Sequence, residues 1–240
     1  MRKERNYYIR ISENALIQLC LSGLEAYCVP HGKNLKKANE LETYGLLLGH
    51  EVHLPKNDVL YSIDMVTVDT SSVRTPDSCY PKEESISLKR DILTSFWPQY
   101  ECLGDFHTHP YKDIQEVESI GGYNFSVGDY SHVENDSDYW IEHKYRVGIA
   151  VTICELKRRG TKPAEAIQSS AIVFTLNRYR IWITAYIANQ DDKGSLRISA
   201  HDDEHVYLDC PSAFAVAEEY SRFGKPIREK GKVKHIPGEI

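Results

Sequence analysis

The sequence predicts an α/β (α+β) protein in which a curved mixed β-sheet is flanked by helices. Several segments have the alternating or continuous apolar pattern of strands, and two others repeat apolar residues at helical spacing. The 240 residues are enough for one sizeable hydrophobic core. Their 41% hydrophobic and 27% charged composition is typical of a soluble globular chain.

The first part of the chain predicts a strand, a helix and a hairpin-like pair of strands. YYIRI over 7–11 alternates as a short strand does, and Ser12 can cap the helix that follows. A polar loop over 30–40 leads to ETYGLLLGHEVHL and VLYSIDMVTVD, which predict neighbouring strands. One face of the helix carries a stripe at helical spacing, formed by Leu16, Cys20, Leu24 and Tyr27.

The middle of the chain predicts a long loop, a helix and a strand. Residues 70–84 are polar and include two prolines, which favours a loop. ECLGDFHTH predicts a strand, 111–125 an irregular segment, and 128–137 one short helix. Before that strand, a helix ended by Pro98 is indicated by the spacing of Leu88, Ile92 and Phe96.

The last part of the chain predicts the centre of the sheet and a basic tail. YRVGIAVTI over 145–153 is apolar enough to be a central strand. AIVFTL and YRIWITAYI flank Asn177-Arg178, which predicts a tight hairpin. Residues 213–220 predict a last helix, and the basic segment over 222–234 is expected to be loose or an arm.

Composition excludes several classes of function. A net charge of −6 argues against nucleic acid as a partner, and no stretch approaches the ~20 apolar residues of a membrane helix. The first residues lack the apolar core of a signal peptide, so a cytoplasmic protein is expected. The six cysteines form no C-x-x-C pair and are expected to be reduced; Cys79, in a polar loop, is a candidate metal contact or reactive thiol.

The run GDFHTHP is the strongest chemical signal in the chain. His107 and His109 lie two residues apart, so on a strand both imidazoles point to one face and can share a metal. Asp129 is the natural third ligand, and Ser126, three residues earlier, can donate a hydrogen bond to an oxyanion. Glu42 supplies a carboxylate that can take a proton from water.

Each of these residues also has an ordinary structural explanation. A lone H-x-H is common, Glu42 alone is most often a solvated charge, and Ser126 alone is most often a helix cap. The joint pattern carries the prediction. A metallo-β-lactamase pattern fails, because Tyr111 and Lys112 follow Pro110 where that pattern needs Asp and His.

Together, ETYGLLLG, H-T-H-P and S-V-G-D resemble the JAMM metalloproteases, also called MPN-plus or JAB domains. The family pattern is E-x-x-G-x-x-x-G, then H-x-H-P, then S-x-x-D, and every position is filled in order. The resemblance implies one zinc ion (Zn2+) held by His107, His109 and Asp129, with Glu42 as general acid/base and Ser126 as oxyanion donor. It also implies the JAB/MPN fold, which is similar to that of cytidine deaminases.

The matching domain is expected to span 1–221, with insertions at 70–84 and 111–125, and a basic tail over 222–240. The gap between His109 and Ser126 is longer than the family's usual one. That departure makes Asp113 a rival third ligand, but only Asp129 has a serine three residues before it.

The resemblance further implies a zinc-dependent peptidase or isopeptidase that cleaves after the C-terminal glycine of a ubiquitin-like protein, by deconjugation or precursor processing. The chain looks like a stand-alone prokaryotic member. Such members often share operons with ubiquitin-activating and ubiquitin-conjugating homologues, some of them in antiviral defence. The other possibilities are a non-catalytic MPN-type scaffold, and a hydrolase acting on a small-molecule amide or a sulfur-carrier precursor.

Overall fold

A strongly curled, mixed β-sheet with helices against its faces forms the body of the protein, as the sequence predicts. The computed structural model describes residues 5–30, 40–158, 160, 162–191, 193–199, 205–215, 225–229 and 232–236, the last two ranges as backbone only. Within these ranges, no helix combines the length and the apolar character that crossing a membrane requires.

The strands and helices alternate along the chain. The strands are β1 (Tyr7–Ile11), β2 (Tyr44–His53), β3 (Val59–Val68), β4 (Val73–Arg74), β5 (Cys79–Tyr80), β6 (Glu101–Tyr111), β7 (Tyr145–Glu155), β8 (Glu165–Gln168), β9 (Ala171–Leu176), β10 (Tyr179–Gln190), β11 (Leu196–Ser199), β12 (Val206–Asp209), β13 (Lys225–Glu229) and β14 (Lys232–Ile236). The helices are α1 (Glu13–Cys28), α2 (Glu83–Phe96), α3 (Ile114–Ile120), α4 (Val127–Asn135), α5 (Ser137–Glu142) and α6 (Pro211–Ala215).

The main sheet has the strand order β12-β1-β3-β2-β6-β7-β10-β9-β8, and β11 pairs with β10. The β12–β1, β1–β3 and β6–β7 pairs are parallel, and the other pairs along the path are antiparallel. The curl brings the two ends of the sheet together, since the Leu208 amide donates to the Ser169 carbonyl at 2.8 Å. The sheet therefore wraps around one hydrophobic core.

Helix α1 fills the core side of the sheet. Its cap is the predicted one, because the Ser12 hydroxyl accepts a hydrogen bond from the Ala15 amide at 3.2 Å. The predicted stripe is buried at Leu16, Cys20 and Tyr27 and packs against β3 and β7. Burying such side chains contributes roughly 1.5–3 kcal/mol each, which is why this helix is fixed on the sheet.

Strand β6 has one face in the core and the other face toward the candidate site. Leu103 and Phe106 are both fully buried in the core. A register shift against β2, with Gly104 at φ 150°, allows these two residues to share a face although they are three apart. After the shift, His107 and His109 alternate to the opposite face.

Several sequence predictions are confirmed by this architecture. The pair β2–β3 is an antiparallel hairpin, β7 is a buried central strand, and β9–β10 turns through Asn177 at φ 56°. The predicted loop over 30–40 lies largely outside the described residues. Of the helix predicted over 213–220, residues 213–215 lie in α6 and the others are outside the described residues.

Other predictions are wrong in detail. The segment over 111–125 is not irregular but contains α3, and 128–137 falls within two helices, α4 and α5. The loop over 70–84 includes the two-stranded ribbon β4–β5. The described part of the basic tail includes the antiparallel hairpin β13–β14, and the prediction of a loose segment or an arm stays a prediction.

Helix α2 forms where predicted and ends before Pro98, but its apolar stripe is not its buried face. Leu88, Ile92 and Phe96 are 62%, 43% and 68% exposed, whereas Leu93 is buried against the sheet. Periodicity thus located the helix without giving its orientation.

Two glycines of β2 admit close backbone approach, as the sequence predicts. A Cβ at Gly45 would collide with the Thr67 carbonyl oxygen, and one at Gly49 with the Ser62 carbonyl oxygen.

We expect Gly49→Ala to lower the free energy of unfolding by about 2–3 kcal/mol, because the backbone must shift. Urea unfolding checks this, with Gly128→Ala as a control that has room for the methyl group. Equal stability of Gly49→Ala and wild type would contradict it.

Candidate metal centre

The first part of the site is set by the pairing of β6 with β2. In the pairing of β2 with β6, Tyr44 lies opposite His107, and two hydrogen bonds extend the pairing of the two chain segments by one residue. The Thr108 amide donates to the Thr43 carbonyl at 3.0 Å, and the Thr43 amide donates to the Thr108 hydroxyl at 2.8 Å. These bonds fix the backbone between His107 and His109.

The third ligand candidate is positioned by a helix cap. Ser126 is the N-cap of α4, and Asp129 is its third residue. The Ser126 hydroxyl accepts from the Asp129 amide at 3.1 Å, and the Asp129 carboxylate accepts from the Ser126 amide at 2.6 Å. This reciprocal capping box holds the Asp129 carboxylate in one orientation, facing β6.

The three candidate ligands converge on one point. The two Nε2 atoms of His107 and His109 lie 2.8 Å apart. Asp129 Oδ1 lies 3.2 Å from Nε2 of His107, and Oδ2 lies 3.6 Å from Nε2 of His109. Among the described residues, these three side chains form the cluster with metal-binding geometry.

The geometry and chemistry of the cluster fit zinc. Ligand atoms on a tetrahedron with bonds of about 2.0–2.1 Å lie about 3.3 Å apart, and the observed separations bracket that value. Two imidazole nitrogens and one carboxylate oxygen are the three-ligand set of catalytic zinc sites, which leave a fourth position open. Burial opposes the ionised form of Asp129, but hydrogen bonds to the two histidines hold its pKa far below the usual range.

Glu42 lies just before β2 rather than in it, and it enters the same cavity. Its amide donates to the Thr75 carbonyl at 2.9 Å, which ties it to the loop over 70–84. Burial raises the pKa of the Glu42 carboxyl to about 7; His109 opposes this rise and Asp129 adds to it. A carboxyl with such a pKa can both accept and return a proton near neutral pH.

The five predicted site residues line one cavity of about 500 Å³, namely Glu42, His107, His109, Ser126 and Asp129. A larger cavity, of about 1240 Å³, shares Arg146 and Asp105 with the first and is lined by none of the five. The smaller cavity is the candidate site, because the three metal-ligating side chains and Glu42 line it.

Other sequence candidates fall at the edge of the site or outside it. Cys79 and His132 line the cavity, but neither belongs to the ligand cluster. Burial raises the pKa of the Cys79 thiol, which disfavours a reactive thiolate. Asp113, the rival ligand, is the N-cap of α3 and accepts hydrogen bonds from the Gln115 and Glu116 amides. The structure therefore brings Asp129, and not Asp113, to the two histidines.

The inserted segment is anchored on the sheet at the edge of the cavity. Val117 of α3 is fully buried against β7, β9 and β10. The Thr152 and Thr184 hydroxyls donate to the carbonyls of Gly122 and Tyr123. The segment also borders the cavity, through Tyr111 and Asn124.

The sequence did not identify a buried ion network behind the ligands. Arg146, on β7, is 2% exposed and donates to Asp105 at 2.6 and 2.7 Å and to Asp136 at 2.7 Å. Asp105 precedes His107 by two residues on β6, and Asp136 joins α4 to α5. The network therefore connects the strand of the histidines to the helix of Asp129. A charged residue inside the apolar strand YRVGIAVTI was the signal for it.

Ser126 caps α4 and also borders the cavity. Its hydroxyl oxygen accepts the cap bond from the Asp129 amide, so the same residue shapes the helix start and the candidate ligand. We expect Ser126→Ala to lower the free energy of unfolding by about 1 kcal/mol, as loss of an N-cap does. Urea unfolding measures this beside Ser12→Ala, which removes the α1 cap and should also be destabilising. Unchanged stability of Ser126→Ala would contradict the capping role.

Comparisons with known proteins add little to this site. No protein-family model matches the chain, and no curated protein matches it. Among solved structures, the chain is similar to the solution structure of protein DSY2949 from Desulfitobacterium hafniense. The identity is 11%, the match covers 84% of this chain and 92% of that chain, and the TM-score is 0.35. A similarity this distant gives no information about the function of this chain.

Proposed function

We propose that this protein is a zinc-dependent peptidase or isopeptidase of the JAMM type. The observation that carries the proposal is the convergence of His107, His109 and Asp129 in one cavity with Glu42. A structural zinc site closes all four positions with protein ligands, whereas this cluster supplies three and lines a cavity. The motif order E-x-x-G, H-x-H-P and S-x-x-D supports the same class.

The position of each side chain in the cavity supports a separate catalytic role. His107, His109 and Asp129 would hold zinc, which supplies Lewis acidity toward a carbonyl and lowers the pKa of water. Glu42 accepts a proton from the attacking water and returns it to the leaving amine. The Ser126 hydroxyl donates to the oxygen that becomes negative during attack.

The walls of the cavity support a polypeptide substrate. Residues 76–81 border it, and so do Tyr111 and Asn124 of the insertion. An extended tail can lie between them, and narrow glycines suit such a slot. The substrate class that fits is a ubiquitin-like protein or its conjugate, cleaved after the C-terminal glycine.

The proposal also includes the cellular location of the protein and the partners it works with. All six cysteines are free thiols, which supports a cytoplasmic location. Ubiquitin-activating and ubiquitin-conjugating homologues encoded in the same operon are the partners that would make such conjugates, and antiviral defence is a setting in which they occur. Against a non-catalytic MPN-type scaffold stands the retention of all three ligands and Glu42.

Cleavage of a ubiquitin-like fusion is the experiment that tests this function. Zinc-loaded protein is incubated with a ubiquitin-like protein bearing a C-terminal extension, and the products are identified by mass. We expect a single cut after the terminal glycine, abolished by a chelator and restored by zinc. A small-molecule amide hydrolysed in place of the fusion would shift the proposal to the small-molecule hydrolase. No turnover of either substrate by the zinc-loaded protein would favour the scaffold.

A further inference from the structure

One buried carboxylate organises the loop that borders the candidate site. Asp69, directly after β3, is 1% exposed. Its Oδ1 accepts from the Ser71 amide at 2.9 Å and the Ser71 hydroxyl at 2.6 Å, and its Oδ2 accepts from the Lys82 amide at 3.1 Å. A single side chain thus binds the loop at its start and at its end.

The Asp69 backbone adds further hydrogen bonds at the same point. Its carbonyl accepts from the Ser72 hydroxyl at 2.8 Å and from Nη2 of Arg74 at 3.0 Å. Its amide donates to the Tyr44 carbonyl at 2.8 Å, which joins the loop to the first residue of β2. Although burial opposes the ionised form, hydrogen bonds from Ser71 and Lys82 lower the pKa of Asp69 to about 2.

The loop that Asp69 closes also holds Glu42. Thr75 lies in its middle, and the Thr75 amide and hydroxyl bond to the Ser78 carbonyl at 2.8 and 3.1 Å, which makes a tight turn. The Thr75 carbonyl then accepts the Glu42 amide. The neighbours of Glu42 are held by other bonds, Leu41 to Ala26 and Thr43 to Thr108. The Glu42 amide itself precedes β2 and bonds to the loop, so the loop contributes to the position of this residue.

We propose that Asp69 is a positioning residue for the candidate reaction: by tying both ends of the loop over 70–82, it holds Thr75 where its carbonyl fixes Glu42 in the cavity. The expected effect on catalysis rests on the proposed function. The expected effect on the position of the Glu42 backbone does not. The Asp69 side chain does not line the cavity and does not touch the reacting groups.

The substitutions that test this are Asp69→Asn, which keeps an acceptor, and Asp69→Ala, which keeps none. Ser71→Ala removes one donor to Asp69 and leaves the carboxylate in place, which covers the case in which an Asp69 variant does not fold. The matched control is Asp64→Asn, the same change at a half-exposed carboxylate of β3 that accepts from the Ser62 hydroxyl. All are measured as the full chain loaded with zinc.

The first readout is hydrogen exchange at the Glu42 and Lys82 amides. Both should exchange faster in Asp69→Ala, less so in Asp69→Asn and Ser71→Ala, while amides of β7 remain protected. The second readout is kinetic: kcat should fall about tenfold to hundredfold in Asp69→Ala, with KM and zinc content near wild type, because a misplaced Glu42 affects chemistry rather than binding. Asp69→Asn should recover part of kcat, and Asp64→Asn should match wild type.

The two readouts separate failure of this inference from failure of the proposed function. If wild type cleaves its substrate and Asp69→Ala has the same kcat with a protected Glu42 amide, the positioning role is overturned and the peptidase stands. If wild type cleaves nothing, the proposed function fails, and the exchange measurement still decides the inference. Faster exchange at Glu42 in Asp69→Ala then supports it, and unchanged exchange overturns it.

Discussion

Replacement of Glu42 by glutamine is expected to lower kcat by about 10²–10⁴-fold while zinc content stays at the wild-type value. Glutamine keeps the size of the side chain but cannot accept the proton from water or return it to the leaving group. Glu42 is not a member of the ligand cluster, so the metal should remain bound. Cleavage kinetics and metal analysis of the same preparation measure both quantities.

The control for Glu42→Gln is Glu51→Gln, which makes the same change near the other end of β2. We expect its kcat and zinc content to equal those of wild type. If Glu42→Gln keeps more than about half of the wild-type kcat, Glu42 is not the general acid/base of this site.

Replacement of His109 by alanine is expected to remove zinc, from about one ion per chain to near none. Only two protein ligands remain in this variant, and two ligands bind zinc too weakly to retain it during dialysis. The His109 side chain is only 11% exposed and lies within ligand distance of both His107 and Asp129. Metal analysis after dialysis measures the loss, and cleavage should disappear with it.

His53→Ala is the matched control for the metal experiment, because His53 is exposed at the end of β2. It should retain about one zinc ion per chain. Wild-type zinc content in dialysed His109→Ala would mean that the metal binds elsewhere in the chain, and the ligand assignment would fall.

Much of the candidate site could be predicted from the sequence because its parts are local. H-T-H on a strand puts both imidazoles on one face, and S-x-x-D at a helix start forms a capping box. Ser126, which is most often a cap, is a cap here, and that same cap orients the Asp129 carboxylate. Metal identity and the roles of Glu42 and Ser126 stay predictions.

What the sequence could not give depends on contacts between distant segments. The stripe of α2 predicted a helix, but the packing of the sheet turned Leu93 inward and left Phe96 exposed. Helix α3 was missed because its seven residues carry a weak apolar pattern and owe their start to the Asp113 cap. Arg146 within an apolar strand signals a buried charge, but its partners Asp105 and Asp136 lie on other elements and follow from the fold alone. The domain limits at 1–221 and 222–240 stay a prediction.

Anomalous X-ray diffraction at the zinc edge, from crystals of the zinc-loaded protein, tests the central claim most directly. We expect one strong peak about 2 Å from Nε2 of His107, Nε2 of His109 and a carboxylate oxygen of Asp129, with the fourth ligand position facing the cavity of Glu42. A peak at other residues, or none at these three ligands, would contradict the assignment of a catalytic zinc centre.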